Sequence, residues 1–275
     1  MKTLKLICLA LLATPLFCAC SSDDDVNNET STEGEMPAAT RAANYKYTSS
    51  VYFDQERPSD AYWYPCYPGM SAWSSFIKCG MDSVLLKLTV PQARLKVMST
   101  AGLVQTLLDN PYSTLYWSMS TSAFGDFFNW MNSKFETSMK YLEKKDDAAK
   151  TIVDFYSNID FSKNGQYTFS ISTIYDALNV LLTPNKEFYL QLTDSEKAKL
   201  LEIVAKKHEE YTVTVNTDDL SLNVIVLEAQ LMVDLKYEPF IDKYGDDINW
   251  TSFYFTLLLN LTEREKILEI AATYK

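Results

Sequence analysis

The chain has 275 residues, of which 47% are hydrophobic and 13% aromatic, enough apolar material for one large core or two modest ones. Only 7 glycines and 9 prolines are available for turns, too few for a sandwich or barrel of many strands, so the composition favours an all-α fold. The formal charge of -11 excludes the basic surface that nucleic-acid binding requires, and we expect no nucleic-acid partner.

The N-terminus resembles a secretory signal. Two lysines precede an apolar stretch that ends at Ala19, directly before Cys20, and this stretch is too short to span a bilayer comfortably. The junction resembles a bacterial lipobox, in which a small residue precedes the cysteine that receives the lipid. We expect residues 1–19 to be a lipoprotein signal peptide and Cys20 to be the lipidated residue. Cys18 is the rival position, and an unlipidated signal cut after Ala19 is the alternative.

Three aspartates at positions 23–25 follow this cysteine and resemble the acidic export signal of surface lipoproteins in certain Gram-negative anaerobes. The other interpretation is a solvated acidic tether, because runs of like charge are usually solvated. Residues 20–44 contain no aromatic side chain and are predicted to form a flexible acidic tether. We therefore expect an outer-membrane lipoprotein that is held to the membrane by its lipid and faces the cell exterior, with the periplasmic face as the alternative.

Residues 45–76 contain ten aromatic side chains, together with prolines and a glycine that exclude a continuous helix. So many rings cannot all remain in water, and we expect most of them to pack onto the helical body as a cover. The alternative is that a few rings, among Tyr62, Trp63 and Tyr64, lie exposed side by side and form a candidate site for a glycan or protein ligand.

Cys66 lies within this aromatic segment, and Cys79 follows shortly after it. In an oxidising compartment the two are expected to form a disulfide, with two free buried thiols as the alternative. We therefore predict one α-helical domain over residues 45–275, in which residues 45–80 form a non-helical cover that this disulfide would staple.

Beyond residue 80 the spacing of apolar residues predicts helices. Apolar side chains recur at intervals of three and four over residues 124–142, and the same spacing returns over 250–261, where it predicts another buried helix face. Residues 220–235 are apolar all round a helical wheel, and their length favours a central buried helix over a strand pair. We expect the helices to stack as hairpins into an irregular superhelix.

Two helix starts have nearly the same sequence. Thr193 with Glu196, and Thr262 with Glu265, have the spacing of capping boxes, in which each side chain satisfies a backbone N–H of the other residue. The similarity indicates either two related helical hairpins, a helical repeat, or two N-caps that arose independently.

Residues 97–111 read Val-Met-Ser-Thr-Ala-Gly-Leu-Val-Gln-Thr-Leu-Leu-Asp-Asn-Pro. This stretch resembles a segment that recurs in an uncharacterised group of secreted, all-helical bacterial proteins, and the resemblance extends over about residues 81–236. The chain departs from that pattern at Gly102, where an acidic residue or alanine is more usual, and in an added C-terminal helix pair. The resemblance implies an all-α fold and no site residue.

The single histidine, His208, falls in the apolar stripe of the helix that follows Thr193, and we interpret it as a partly buried residue at the edge of the core. One histidine excludes a His-rich zinc site. The acids at 242–249 lack the ligand spacing of a calcium loop, and the pairs at 146–147 and 218–219 lie where helices begin. We expect no metal, no cofactor and no assigned catalytic residue.

The function expected from these patterns is that of a surface binding or structural module. The alternative is a surface hydrolase that acts on a glycan or peptide through paired carboxylates about 5 to 10 Å apart.

Overall fold

The computed structural model of the chain describes residues 36–78, 81–111, 137–165, 170–182, 186–215 and 222–274. All of these residues belong to one compact unit, Met36–Lys275. Cys20, Cys79 and most of the predicted tether lie outside the described residues. Within the described residues the chain is mostly helical and has no β-strand, so the all-α fold class is confirmed. The stacking of the helices as hairpins stays a prediction.

The helices are short at the N-terminal end and longer in the second half of the domain. In chain order they are α1 Ala38–Asn44, α2 Trp73–Ile77, α3 Met81–Lys87, α4 Gln92–Leu95, α5 Thr100–Leu108, α6 Ser138–Leu142, α7 Ala148–Ser157, α8 Ile171–Leu182, α9 Lys186–Tyr189, α10 Asp194–Val215, α11 Leu222–Asp234, α12 Glu238–Tyr244, α13 Trp250–Leu259 and α14 Leu261–Ala271. Three further turns, Tyr45–Tyr47, Ser49–Tyr52 and Phe161–Lys163, are 3₁₀-helical.

The first described residues lie in the predicted tether. Helix α1 occupies the last residues of the stretch that we predicted to be a flexible tether, and none of its residues is buried. A tether over residues 20–35 lies outside the described part of the chain.

The aromatic segment does cover the helical body. Tyr52, Phe53, Tyr64 and Tyr67 are buried, and the ring of Phe53 packs edge-to-face on that of Phe155 in α7, with 5.2 Å between their centroids. Backbone hydrogen bonds extend this contact, because Phe53 forms an isolated antiparallel bridge with a residue that follows α7. The prediction that most of the rings dock onto helices is therefore correct for these residues.

A buried carboxylate at the end of α5 holds the cover in place. Asp109 Oδ1 accepts hydrogen bonds from the backbone N–H of Ser49 at 2.8 Å, from its hydroxyl at 2.6 Å and from the amide of Gln105 at 2.9 Å. The other carboxylate oxygen forms an ion pair with the guanidinium of Arg57, and both side chains are almost fully buried. Arg57 also donates to the carbonyl of Tyr62 at 2.8 Å, so one guanidinium links two parts of the cover to α5.

The start of α5 is a second attachment point. Ser99 is the N-cap, and its hydroxyl accepts a hydrogen bond from the backbone N–H of Gly102 at 3.0 Å. The carboxylate of Asp60 accepts from the N–H and the hydroxyl of Ser99 at 2.6 and 3.0 Å. A Cβ atom at Gly102 would lie only 2.5 Å from Asp60 Oδ1. The close approach of the cover therefore gives a physical reason for glycine at this position.

Helix α11 lies at the centre of the second half of the domain. It packs against α8, α10, α12, α13 and α14. Its buried side chains are Val224, Ile225, Leu227, Glu228, Ala229, Leu231 and Met232. A helix with neighbours on several sides needs apolar residues on more than one face, which is why no single stripe is visible in its sequence. The prediction of a central buried helix is confirmed, and the strand pair is excluded.

The two predicted capping boxes have different outcomes. The Thr193 hydroxyl accepts from the backbone N–H of Glu196 at 3.3 Å, and the Glu196 carboxylate accepts from the N–H of Thr193 at 2.9 Å, as a capping box requires. The prediction of a capping box at Thr262 is wrong, because α14 begins at Leu261 and its N-cap is Asn260. The extended backbone at Asn260 ends α13 and starts α14 at once, so Thr262 already lies inside the first turn.

The buried face predicted over 250–261 forms only in part. Helix α13 forms at the predicted position, but Leu257 is its fully buried apolar side chain. Of the other residues on the predicted face, Phe253 and Tyr254 are half-buried, and Trp250, Leu258 and Leu261 are exposed. The pattern identified the helix correctly but could not indicate how much of its surface the neighbours α11 and α14 would cover.

We expect the substitution Asp109→Asn to destabilise the fold by about 3–5 kcal/mol, because the Arg57 guanidinium then stays buried without a counter-charge. The matched control is Asp54→Asn in the same cover, where the carboxylate is 66% exposed and pairs with Lys163 at 3.2 Å. That change should cost less than about 1 kcal/mol. Urea denaturation of both variants measures the difference. Equal losses would show that the buried pair does not hold the cover.

Candidate functional site

The regular spacing of α10 brings the single histidine into the interior. Leu200, Leu201, Val204, His208 and Tyr211 are its buried residues, and they follow each other at helical intervals on one face. This face packs against α11. His208 is thus buried between two helices, deeper than the core-edge position that the sequence predicted.

Helix α11 supplies the partner of this histidine. The Nδ1 atom of His208 lies 3.4 Å from Oε1 of Glu228, and the two side chains are only 6% and 1% exposed. Among the described residues, His208 Nε2 and Glu228 Oε2 have no hydrogen-bond partner. Burial raises the pKa of Glu228, and the nearby imidazole opposes that shift only in part. The pair therefore carries two unsatisfied polar atoms in the core, which costs stability.

The two side chains line a cavity of about 580 Å³ between α10, α11 and α14. Its lining residues are Glu202, Ala205, Lys206, His208, Glu209, Thr212, Val213, Glu228, Leu268, Glu269, Ala272 and Tyr274. Four of them are glutamates and one is a lysine, so the cavity has an excess of acidic groups. Aliphatic side chains make up much of the remaining wall.

The described lining of this cavity does not offer His208 the nucleophile of a serine or cysteine hydrolase. In serine and cysteine hydrolases, a histidine beside a carboxylate acts as the general base for the serine or cysteine nucleophile. No residue of either type is among the described residues that line the cavity. The hydroxyl of Thr212 donates to the backbone carbonyl of His208 at 3.0 Å and is thereby engaged in its own helix.

The three rings that the sequence suggested as a ligand site are not all exposed in the structure. Tyr64 is buried in the core, where its hydroxyl donates to the carbonyl of Thr106 at 3.1 Å. Tyr62 is half-buried and packs edge-to-face on Tyr64, and Trp63 is half-buried with its ring 4.2 Å from the Arg57 guanidinium. Tyr64 offers no free ring face, so an exposed row of three rings is not formed.

The other residues that the sequence singled out do not converge on a site. Cys66 is a buried free cysteine in the structure, and its pairing with Cys79 stays a prediction because Cys79 lies outside the described residues. Asp147, at the start of α7, accepts from the hydroxyl of Thr100 at 2.6 Å and so joins two helices. The acids at 242–247 are exposed. Across the described ranges, no group of three or more His, Cys, Asp or Glu is placed to hold a metal ion.

Sequence reasoning missed Glu228. The signal that could have identified it is a charged residue in the middle of a run predicted to be buried, since glutamate is rarely buried without a partner. His208 is the one basic residue in the buried stripe of α10. Matching these two would have required knowing that α10 and α11 pack together.

Comparison with family models, with curated proteins and with solved structures gives no match for this chain. The resemblance to secreted all-helical bacterial proteins therefore stays a prediction. In the part of the chain that the structure describes, no helix combines the length and apolar character needed to cross a bilayer.

We expect Glu228→Gln to stabilise the protein at pH 8, because glutamine keeps an acceptor for His208 Nδ1–H without burying a charge. A carboxyl whose pKa is raised by folding loses stability as pH rises from its ordinary value through the raised one. The stabilisation by Glu228→Gln should therefore be smaller towards pH 4.5 than at pH 8. Chemical denaturation at both pH values measures it, with the exposed Glu202→Gln as control. A variant equally destabilised at both pH values would contradict this expectation.

Proposed function

We propose that the protein is a cell-surface lipoprotein whose helical domain binds a ligand in the cavity between α10, α11 and α14. The observation that carries the proposal is the buried pair of His208 and Glu228, two residues that line the cavity and that each keep one buried polar atom without a hydrogen-bond partner. Buried polar groups are nearly always hydrogen-bonded in folded proteins. Violations of that rule concentrate at functional sites, where a ligand supplies the missing partner.

The size and the construction of the cavity support this proposal. Small-molecule sites typically enclose about 300–1,000 Å³, with apolar walls and a few polar groups that fix the orientation of the ligand. The cavity of about 580 Å³ lies within that range and combines aliphatic side chains with a buried histidine and a buried carboxylate. Its walls are helices rather than loops, so the polar groups are held in position by the packing of the core.

The N-terminal sequence supports the location. A signal that ends in a lipobox-like junction, followed by an acidic stretch, is typical of lipoproteins anchored by one cysteine, here Cys20. The lipid would attach the protein to the outer membrane, and the tether would hold the domain and its cavity away from the membrane surface. We place that domain on the cell exterior.

A second candidate function is hydrolysis of a glycan or peptide. The observation that favours it is the raised pKa of Glu228, since a carboxyl that keeps its proton to higher pH is better suited to act as a general acid. A second carboxylate would have to come from the exposed glutamates of the same cavity, Glu202, Glu209 or Glu269.

Lipidation of Cys20 is tested by metabolic labelling with a palmitate analogue in the native host. We expect the wild-type protein and Cys18→Ala to be labelled and Cys20→Ala to remain unlabelled, because the thioether forms on the cysteine that follows the cleavage site. Equal labelling of Cys20→Ala would show that the lipobox interpretation is wrong.

Ligand binding in the cavity is tested by thermal shift with a panel of monosaccharides, dipeptides and aliphatic amines. We expect one class to raise the melting temperature of the wild type, since a ligand that binds only the folded state stabilises it. Ala272→Trp, which fills the cavity, should abolish that shift, and Ala93→Trp, at an exposed position in α4, should keep it.

An equal shift in both tryptophan variants, or no shift with any member of the panel, would contradict the proposed binding site. Analysis of the same mixtures by mass spectrometry separates the two candidate functions. Cleaved sugars or peptides would favour the hydrolase, and unchanged ligands favour the binding module.

A further inference from the structure

We propose that the cavity binds an aliphatic primary ammonium group, with its nitrogen at the buried pair of His208 and Glu228 and its hydrocarbon chain along the aliphatic wall. This inference rests on the proposed function, because it specifies the chemistry of the ligand in that same cavity. It follows from the charge of the lining, from the hydrogen-bonding capacity of the buried pair and from the apolar residues beside it.

The charges around the cavity select a cation. Glu202, Glu209 and Glu269 are exposed lining residues, and Glu228 adds a buried carboxylate. The one lysine of the lining, Lys206, is itself drawn to a carboxylate outside the lining, with its Nζ atom 3.8 Å from an oxygen of Glu210. A recess lined by an excess of one charge attracts ions of the opposite sign. Carboxylate and phosphate ligands are disfavoured for the same reason.

The buried pair selects a hydrogen-bond donor. When the imidazole is neutral and its Nδ1–H points to Glu228 Oε1, the two unsatisfied atoms, His208 Nε2 and Glu228 Oε2, are both acceptors. An ammonium group has three donors and no acceptor, and it also supplies the counter-charge that the buried carboxylate lacks. A hydroxyl group can donate only one hydrogen bond and leaves that charge uncompensated.

The rest of the wall selects an aliphatic chain. Ala205, Val213, Leu268 and Ala272 line the cavity together with the ring of Tyr274. Methylene groups gain about 0.8 kcal/mol each when they leave water for such a surface. A chain of four or five methylenes with a terminal ammonium has this combination of properties. It occurs in free diamines and in the side chain of lysine, and both sources offer the same chemistry.

The test is isothermal titration calorimetry at pH 8 with four probes: n-pentylammonium, 1,5-diaminopentane, Nα-acetyl-lysine amide and uncharged 1,5-pentanediol. We expect the ammonium probes to bind and the diol to bind at least about tenfold more weakly, since the diol carries no charge for Glu228. Comparison of the diamine with the lysine derivative identifies which source of the ammonium fits better.

Two variants with the same change of charge locate the site. Glu228→Gln should weaken binding of n-pentylammonium by about tenfold or more, because it removes the buried counter-charge. Glu238→Gln, at an exposed position outside the lining, should leave the affinity unchanged. Ala272→Trp should abolish binding without changing any charge, which keeps the test independent of the stability of the Glu228 variant.

The outcomes separate this inference from the proposed function. Equal affinity for the diol and the amines would overturn the ammonium specificity and leave the cavity as a binding site. If only a sugar or an uncharged dipeptide binds, and Ala272→Trp abolishes that binding, the ammonium specificity is likewise overturned and the cavity remains a binding site. Amine binding that persists in Glu228→Gln would reflect the general acidity of the surface and would overturn the inference.

Discussion

The ion pair between Arg57 and Asp109 is the interaction that joins the two kinds of structure in this domain. The aromatic segment has little regular secondary structure of its own, so its position is set by contacts with the helices. Asp109 accepts hydrogen bonds from Ser49 and Gln105 while it neutralises Arg57, and all of this occurs out of contact with water. Inside a low-dielectric core such a network is stable only when every member is present. The cover is therefore held in one position on α5.

Glu228 is a buried carboxylate with fewer partners than Asp109. It lies on α11, the helix that packs against most of its neighbours in the second half of the domain, and its only described partner is His208 at 3.4 Å. Burial raises the pKa of this carboxyl, and the nearby imidazole opposes that shift only in part. Both oxygens of the Asp109 carboxylate have partners, whereas one oxygen of Glu228 has none, and Glu228 lines a cavity. This contrast is the reason for placing the function at Glu228.

Local sequence patterns predicted the elements of the fold but not all of their ends. The box at Thr193 was predictable because the helix before it ends well ahead of the cap. The sequence did not indicate that α14 is capped by Asn260 and not by Thr262, because the same residue ends α13 and caps α14. Likewise, the apolar spacing over 250–261 predicted a helix, but the amount of its surface that is buried depends on α11 and α14, which the spacing does not describe.

The sequence by itself determined the all-α class, the central helix over 220–235 and the docking of the aromatic segment, because helical periodicity and the insolubility of many exposed rings are local properties. Only the tertiary structure decided that Tyr64 is buried beneath its neighbours and that His208 meets Glu228. Periodicity shows which residues share a face of one helix. Which two faces meet depends on the packing of the whole chain, and that packing brings together residues that lie on different helices.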